Sequence, residues 1–290
     1  MTVSLNVSLT NLRKSPFVAG NKFRSIRAWT NLLMELATGR YKGSVTCAVQ
    51  NSAVAATGTV TFSGPLTAAD TVTINGTALT AQQSYARGTV TAASVSAADT
   101  VTVGATVFTA VNGGSPTSVQ FDMSGSDAQT ATNLGAAINA HPTAGALVKA
   151  YVASAVVTAR NLVIGVAGNN GGASQVALAS SNNTRLAVAG VSSGKLSGAS
   201  DPANNKFDIG NTTLEVLTYF VAAVNASSTA LVSGQGGVLA TSNGATVATL
   251  TAVKIGSSGN AITLAKSAAN AAVSGARLTG GSETAFSFTF

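Results

Sequence analysis

The chain has 290 residues, 46% of them apolar and 9% charged, with 16 basic against 9 acidic side chains and a formal net charge of +7. That is enough apolar material for one large core or two to three ordinary ones, and it excludes the apolar-poor, charge-rich composition of a disordered chain. It also argues against a free cytosolic protein, in which about 25% of residues carry charge; faces of Ala, Gly, Ser, Thr and Val suit a subunit covered by neighbours.

The basic excess is local. Arg13, Lys14, Lys22, Arg24, Arg27, Arg40 and Lys42 lie in the first 42 residues, opposed there only by Glu35. An alternating run of Val3, Leu5, Val7 and Leu9 predicts a strand without a nearby partner, and Ile26, Trp29, Leu33 and Leu36 predict an amphipathic helix over 23–39 that ends at Gly39. Residues 1–57 are therefore expected to be an N-terminal docking segment, with Arg13, Lys14, Lys22, Arg24, Arg27, Trp29, Leu33 and Arg40 as its contact residues. The plainer readings are a solvated basic arm and a helix whose stripe packs in a core. Cys47 is the only cysteine, so no intrachain disulfide is possible. The start lacks the apolar core of a signal peptide, and no run approaches about 18 apolar residues, so neither secretion nor a membrane-spanning helix is expected.

From residue 58 the chain repeats itself. AADTVTINGTALTA at 68–81 matches AADTVTVGATVFTA at 97–110 in nine of fourteen positions, and GTVT precedes each, at Gly58 and Gly88. The alternation of Thr with apolar residues around Asn75-Gly76 and around Gly104-Ala105 predicts two β-hairpins. Ala131, Leu134, Ala137 and Ile138 then recur at helical spacing over 127–140, with Ser126 or Asp127 as the cap and Pro142 beyond the end.

A longer repeat follows at offsets of about 82–91 residues. FDM at Phe121 recurs as FDI at Phe207, GAAINA ending at Ala140 as VAAVNA ending at Ala226, and Ala146-Leu147-Val148 as Ala230-Leu231-Val232. The Gly-Asn turn after Gly165 recurs after Gly256, and VSSGKLSGAS from Val191 recurs as VSGARLTGGS from Val273. The expected division is a docking segment over 1–57, a first β-rich module with the duplicated hairpins over 58–200, and a second module with a C-terminal aromatic strand over 201–290. Because the second module follows Lys206 with no hairpin of its own, the hairpin of 68–81 is expected to cross over and complete the sheet of 207–282.

Catalytic chemistry is poorly supplied. His141, the only histidine, is placed as a helix C-cap, and with Cys47 it cannot complete a four-ligand zinc site. Asp70 and Asp99 read as turn residues, and Asp122 and Asp208 as local backbone acceptors; the Asp-rich spacing of a calcium loop is missing. The glycine-rich stretches at 165–172 and 234–237 lack the marks of a P-loop or dinucleotide fold. Aromatic residues among the N-terminal basic groups are accounted for by the helix face, so nucleic-acid binding is not expected. The aromatic ending FSFTF is shared with outer-membrane barrels, but the helices and the 5% aromatic content argue against one. No catalytic, cofactor or metal site is expected.

The hairpins DTVTINGTALTA and DTVTVGATVFTA, the helix ending GAAINA and the strands around GSSGNAITLA resemble modules of tailed-bacteriophage virion proteins. The resemblance covers about residues 58–282. It implies an α+β, mainly β chain with no enzymatic activity, acting as a structural subunit of the virion. A capsid decoration or cement protein, held through its N-terminal segment to the major capsid protein and to copies of itself, with a trimer as the first guess, is the leading expectation; a tail, neck or baseplate subunit is the second. From a different class, a carbohydrate- or host-surface-binding module would use the Gly- and Asn-rich loops.

Overall fold

The computed structural model describes residues 46–51, 53–283 and 285–289, the first and last of these as backbone alone. The helix expected over 23–39 and the docking residues Arg13, Lys14, Lys22, Arg24, Arg27, Trp29, Leu33 and Arg40 lie outside the described residues.

In chain order the strands are β1 (Thr46–Asn51), β2 (Thr57–Phe62), β3 (Thr71–Ile74), β4 (Thr77–Gln82), β5 (Tyr85–Ala92), β6 (Thr100–Val103), β7 (Thr106–Val111) and β8 (Gln120–Asp122). Helix α1 (Asp127–Ala140) leads to β9 (Val148–Ala153), β10 (Val156–Ile164), β11 (Leu178–Ser180), β12 (Leu186–Ala189), β13 (Val191–Ser192) and β14 (Lys195–Leu196). Then come β15 (Lys206–Asp208), α2 (Thr213–Ala226), β16 (Val238–Ser242), β17 (Val247–Ala252), β18 (Leu264–Lys266), β19 (Ala271–Val273) and β20 (Ala285–Thr289). The chain is α+β and mainly β. Strands β1 and β20 form a small antiparallel sheet by themselves, with Thr46 opposite Thr289.

Residues 53–283 build two cores. One gathers Val90, Phe108, Phe121, Leu134, Ile138, Leu178 and Leu186 from within 86–199. The other gathers Val60, Phe62, Val72, Ile74 and Leu79 from before that stretch with Phe207, Phe220, Leu250 and Leu264 from after it. The first lobe is thus inserted into the second, which we call the host lobe. Each has two four-stranded sheets in matching order: β12-β5-β10-β9 and β11-β6-β7-β8 in the inserted lobe, β19-β2-β17-β16 and β18-β3-β4-β15 in the host. One pair in each lobe is parallel, β7 with β8 and β4 with β15.

The elements follow from local chemistry. Thr71–Ile74 and Thr100–Val103 alternate half-buried Thr with buried Val or Ile, as a half-covered strand requires. Asn75 and Gly76 supply the two positive φ angles of a type I′ turn, 49° and 78°. The Ser126 hydroxyl accepts from Gln129 N and caps α1; Thr212 accepts from Glu215 N and caps α2.

The crossing of the first hairpin occurs as the repeat arithmetic requires: Val72 pairs with Lys266 and Ile74 with Leu264, while Thr80 pairs with Lys206. Residues 58–82, expected within the 58–200 segment, therefore share their sheets with 206–273. The match of Ala146-Leu147-Val148 to Ala230-Leu231-Val232 does not hold. Val148 opens β9 opposite Asn161, whereas its counterpart opposite Ala252 is Val238, because the host lobe has a longer turn between helix and strand.

Candidate functional site at the junction of the lobes

The outer face of sheet β12-β5-β10-β9 carries an unusual row. Lys149, Arg160 and Arg87 stand directly opposite one another on β9, β10 and β5. Three cations side by side repel, so the arrangement requires anions from elsewhere. The host lobe supplies them to the two buried cations, Arg87 and Arg160, through the turn after β15 and the first turns of α2, while Lys149 is exposed.

Arg87 Nη2 donates to Asp208 Oδ1 at 2.6 Å, and both side chains are buried, 9% and 2% exposed. Asp208 also accepts from Ser84 N at 2.7 Å and from Gly210 N at 2.8 Å. It is thus the local backbone acceptor expected from the sequence and a counter-ion as well. Arg87 keeps Nε and Nη1 buried without a protein acceptor. Arg160 Nη1 donates to Glu215 Oε1 at 3.1 Å and to the Tyr219 hydroxyl at 3.2 Å. Its guanidinium lies over the Tyr85 ring at 4.6 Å and over Tyr151 at 5.1 Å, so ring faces support the cation where oxygen does not.

Glu215 also accepts from the Tyr151 hydroxyl and, at 2.9 Å, from Asn211 N. Burial opposes its charge, but the Tyr151 hydroxyl, the Asn211 N–H and Arg160 outweigh it and hold the carboxyl below its ordinary range. Burial, assisted by Glu215, pushes the Tyr151 phenol upward; burial and the neighbouring Tyr85 bring Tyr219 up to about 12. These phenols stay protonated donors at neutral pH. Beside them a cleft of about 280 Å³ opens between the lobes, lined by Tyr85, Asp208, Tyr219 and Ala223 among others.

The junction ties charged groups of one lobe to those of the other. Of the three ion pairs among the described residues, two cross from lobe to lobe. The third, Arg185 to Asp99, is bidentate at 2.6 Å and closes the inserted lobe.

The residues noted in the sequence fall elsewhere. Asp70 and Asp99 are turn residues accepting from Thr67 N and Ser96 N, each at 2.8 Å. Asp122 accepts from Gly113 N and Ser124 N at 2.8 Å. His141 is the C-cap of α1, with Nδ1 accepting from Ala144 N at 3.2 Å. Asn169 and Asn260, from the Gly-Asn turns, grip the backbone of Ala199 and Gly281. Sequence reasoning does not single out Arg87, Arg160, Glu215 or the three tyrosines. A signal is there: aligned repeats put Arg87 against Thr57 and Glu215 against Gln129, charge appearing in one copy only. No known family, curated protein or solved structure matches this chain.

Proposed function

We propose that the chain is a structural subunit of a tailed-bacteriophage particle, a capsid decoration protein that attaches through residues 1–57 and associates with copies of itself. In this reading the two lobes are two copies of one duplicated module, nested instead of consecutive. The observation that supports it is the use made of charge: the buried arginines and carboxylates of the described residues tie lobe to lobe and turn to turn, as a rigid building block needs. The few-charged exterior and the basic N-terminal segment fit a body that docks and is then surrounded.

The test is deletion of residues 1–42, which removes a net charge of +6 and the only Trp. The truncated chain is expected to remain folded and to be missing from purified particles, and antibody labelling of the full-length protein is expected on the head. Incorporation of the truncated chain at the full-length level overturns the attachment reading, and label confined to the tail overturns the decoration reading in favour of a tail or neck subunit.

A further inference from the structure

The internal junction uses two surfaces, and the lobes' correspondence produces a second copy of each that the chain does not use. On the inserted lobe the buried surface is the outer face of β5 and β10 around Arg87 and Arg160, with Lys149 of β9 exposed beside it. Correspondence is fixed by shared bonds. Arg87 bridges Ser197 as Thr57 bridges Thr279. Asn139 makes two bonds to Ala150 where Asn225 makes two to Ala240. Arg87, Arg160 and Lys149 therefore correspond to Thr57, Thr251 and Leu239, which again stand opposite one another on β2, β17 and β16. That face is continued by Thr59, Thr61, Thr241 and Thr249; Thr57, Leu239 (54%) and Thr241 are exposed, and Thr59, Thr61, Thr249 and Thr251 are half-buried.

On the host lobe the buried surface is the turn after β15 with the start of α2, around Asp208, Glu215 and Tyr219. Its counterpart on the inserted lobe is Asp122, Gln129 and Asn133, and Gln129 is exposed. A cleft of about 530 Å³ there, lined by Gln120, Asp122, Asn133 and Ala137, corresponds to the junction cleft lined by Lys206, Asp208, Tyr219 and Ala223. The two unused surfaces also match in charge. Where the internal contact sets Arg160 against Glu215, the free pair would set Thr251 against Gln129. The Asp122 carboxylate is held by Gly113 N and the backbone N–H and hydroxyl of Ser124, its own turn. At the Arg160–Glu215 position charge is gone from both sides together; Asp122, which would face Thr57, keeps its charge and has it met by the N–H groups of Gly113 and Ser124 and the Ser124 hydroxyl instead of by an arginine.

We propose that copies of the chain associate head to tail, the α1 end of the inserted lobe of one copy seating on the outer face of sheet β19-β2-β17-β16 of the next, in repetition of the internal junction. The occupant is a second copy because the chain already carries the complementary surface. Such a contact is heterologous, so it closes into a ring or runs on as a filament. The inference deepens the self-association part of the proposed function and is indifferent to which particle, if any, the assembly belongs to.

The test transplants the internal ion pair. Sedimentation velocity on the full-length chain over a range of concentrations compares wild type, Thr251→Arg and the double variant Thr251→Arg/Gln129→Glu, with circular dichroism as the check of folding. Wild type is expected to associate. Thr251→Arg, which sets an unpaired cation against Gln129, is expected to weaken association about tenfold or more, and the added Gln129→Glu of the double variant to return it to within about threefold of wild type. Thr57→Asp, at an exposed position that the correspondence sets against Asp122, brings two carboxylates together, is expected to weaken association in the same way and stands in if Thr251→Arg does not fold. A monomeric wild type, association untouched by these substitutions, or a folded double variant without recovery overturns the proposal. Because particle incorporation is not the readout, none of these results depends on the phage reading.

Discussion

Asp122 and Asp208 occupy matching positions after a buried Phe, and each accepts from backbone N–H groups of its own turn; only Asp208 also faces an arginine. Asp208→Asn keeps the shape but leaves Arg87 buried without a counter-charge, and chemical denaturation is expected to show a loss of about 3 kcal/mol or more. Asp122→Asn is expected to cost much less, since its partners are neutral and solvent is near. Glu215 adds a dependence on pH. Its folded-state pKa lies below the ordinary value of 4.5, so its contribution is complete above about pH 4.5 and is lost as pH falls through the lowered value. The stability gap between wild type and Glu215→Gln is therefore expected to be full at neutral pH and to close below about pH 4.5. A gap that stayed constant from pH 7 to 3 would show that Glu215 stabilises through packing and not through charge.

At the scale of elements, each helix is tied to the following edge strand by one asparagine: Asn225 Nδ2 donates to Ala240 O and its Oδ1 accepts from Ala240 N, both at 2.9 Å, and Asn139 does the same with Ala150 at 2.8 Å. These bonds satisfy an edge-strand residue that a neighbouring strand would otherwise serve. Asn225→Ala is expected to cost about 1–3 kcal/mol, with faster amide exchange at Ala240 as the local sign. Much at this scale is legible in the sequence. Period-two alternation marks the hairpins at Val72 and Val101, Ser126 and Pro142 mark the ends of α1, and the repeat arithmetic sends the hairpin of 68–81 to the sheet of 207–282, where Ile74 pairs with Leu264. What fails does so for physical reasons. The Ala-Leu-Val match slips because helix-to-strand turns tolerate insertions at little cost. The junction is hidden because Arg87 and Arg160 come from two strands, and the acids answering them come from residues more than fifty positions away. A carboxylate that binds its own turn and one that also crosses to another lobe look alike in sequence, so pattern alone reveals only the first role of Asp208.

For the molecule as a whole the decisive feature is the nesting. The chain leaves the host lobe after β4 and re-enters before β15, and the two crossings are bonded to each other: Ser200 N donates to Gln83 O at 2.8 Å, and the Gln82 side chain donates to Asp201 O at 3.0 Å. Strands β4 and β15 are themselves paired, so unfolding of the inserted lobe loosens the ends of the host lobe's own sheet, and parting of the host sheet releases both ends of the insert. The ion pairs add a second coupling on the sheet face beside the crossings. Two similar lobes joined only by a flexible linker would melt independently; these are expected to melt as one cooperative unit, seen in calorimetry as a single transition of residues 53–283 whose calorimetric and van't Hoff enthalpies agree. The coupling lies in identifiable bonds and can be removed. Asp208→Ala with Glu215→Ala takes away both inter-lobe anions while leaving the Phe, Leu and Val packing of each core intact. That variant is expected to split the transition in two, the host lobe melting first because its β4–β15 edge and the turn after β15 have lost their ties. A split transition already in the wild type would show that the lobes never shared cooperativity, and a single one retained in the variant would show that the crossings and not the ion pairs set it.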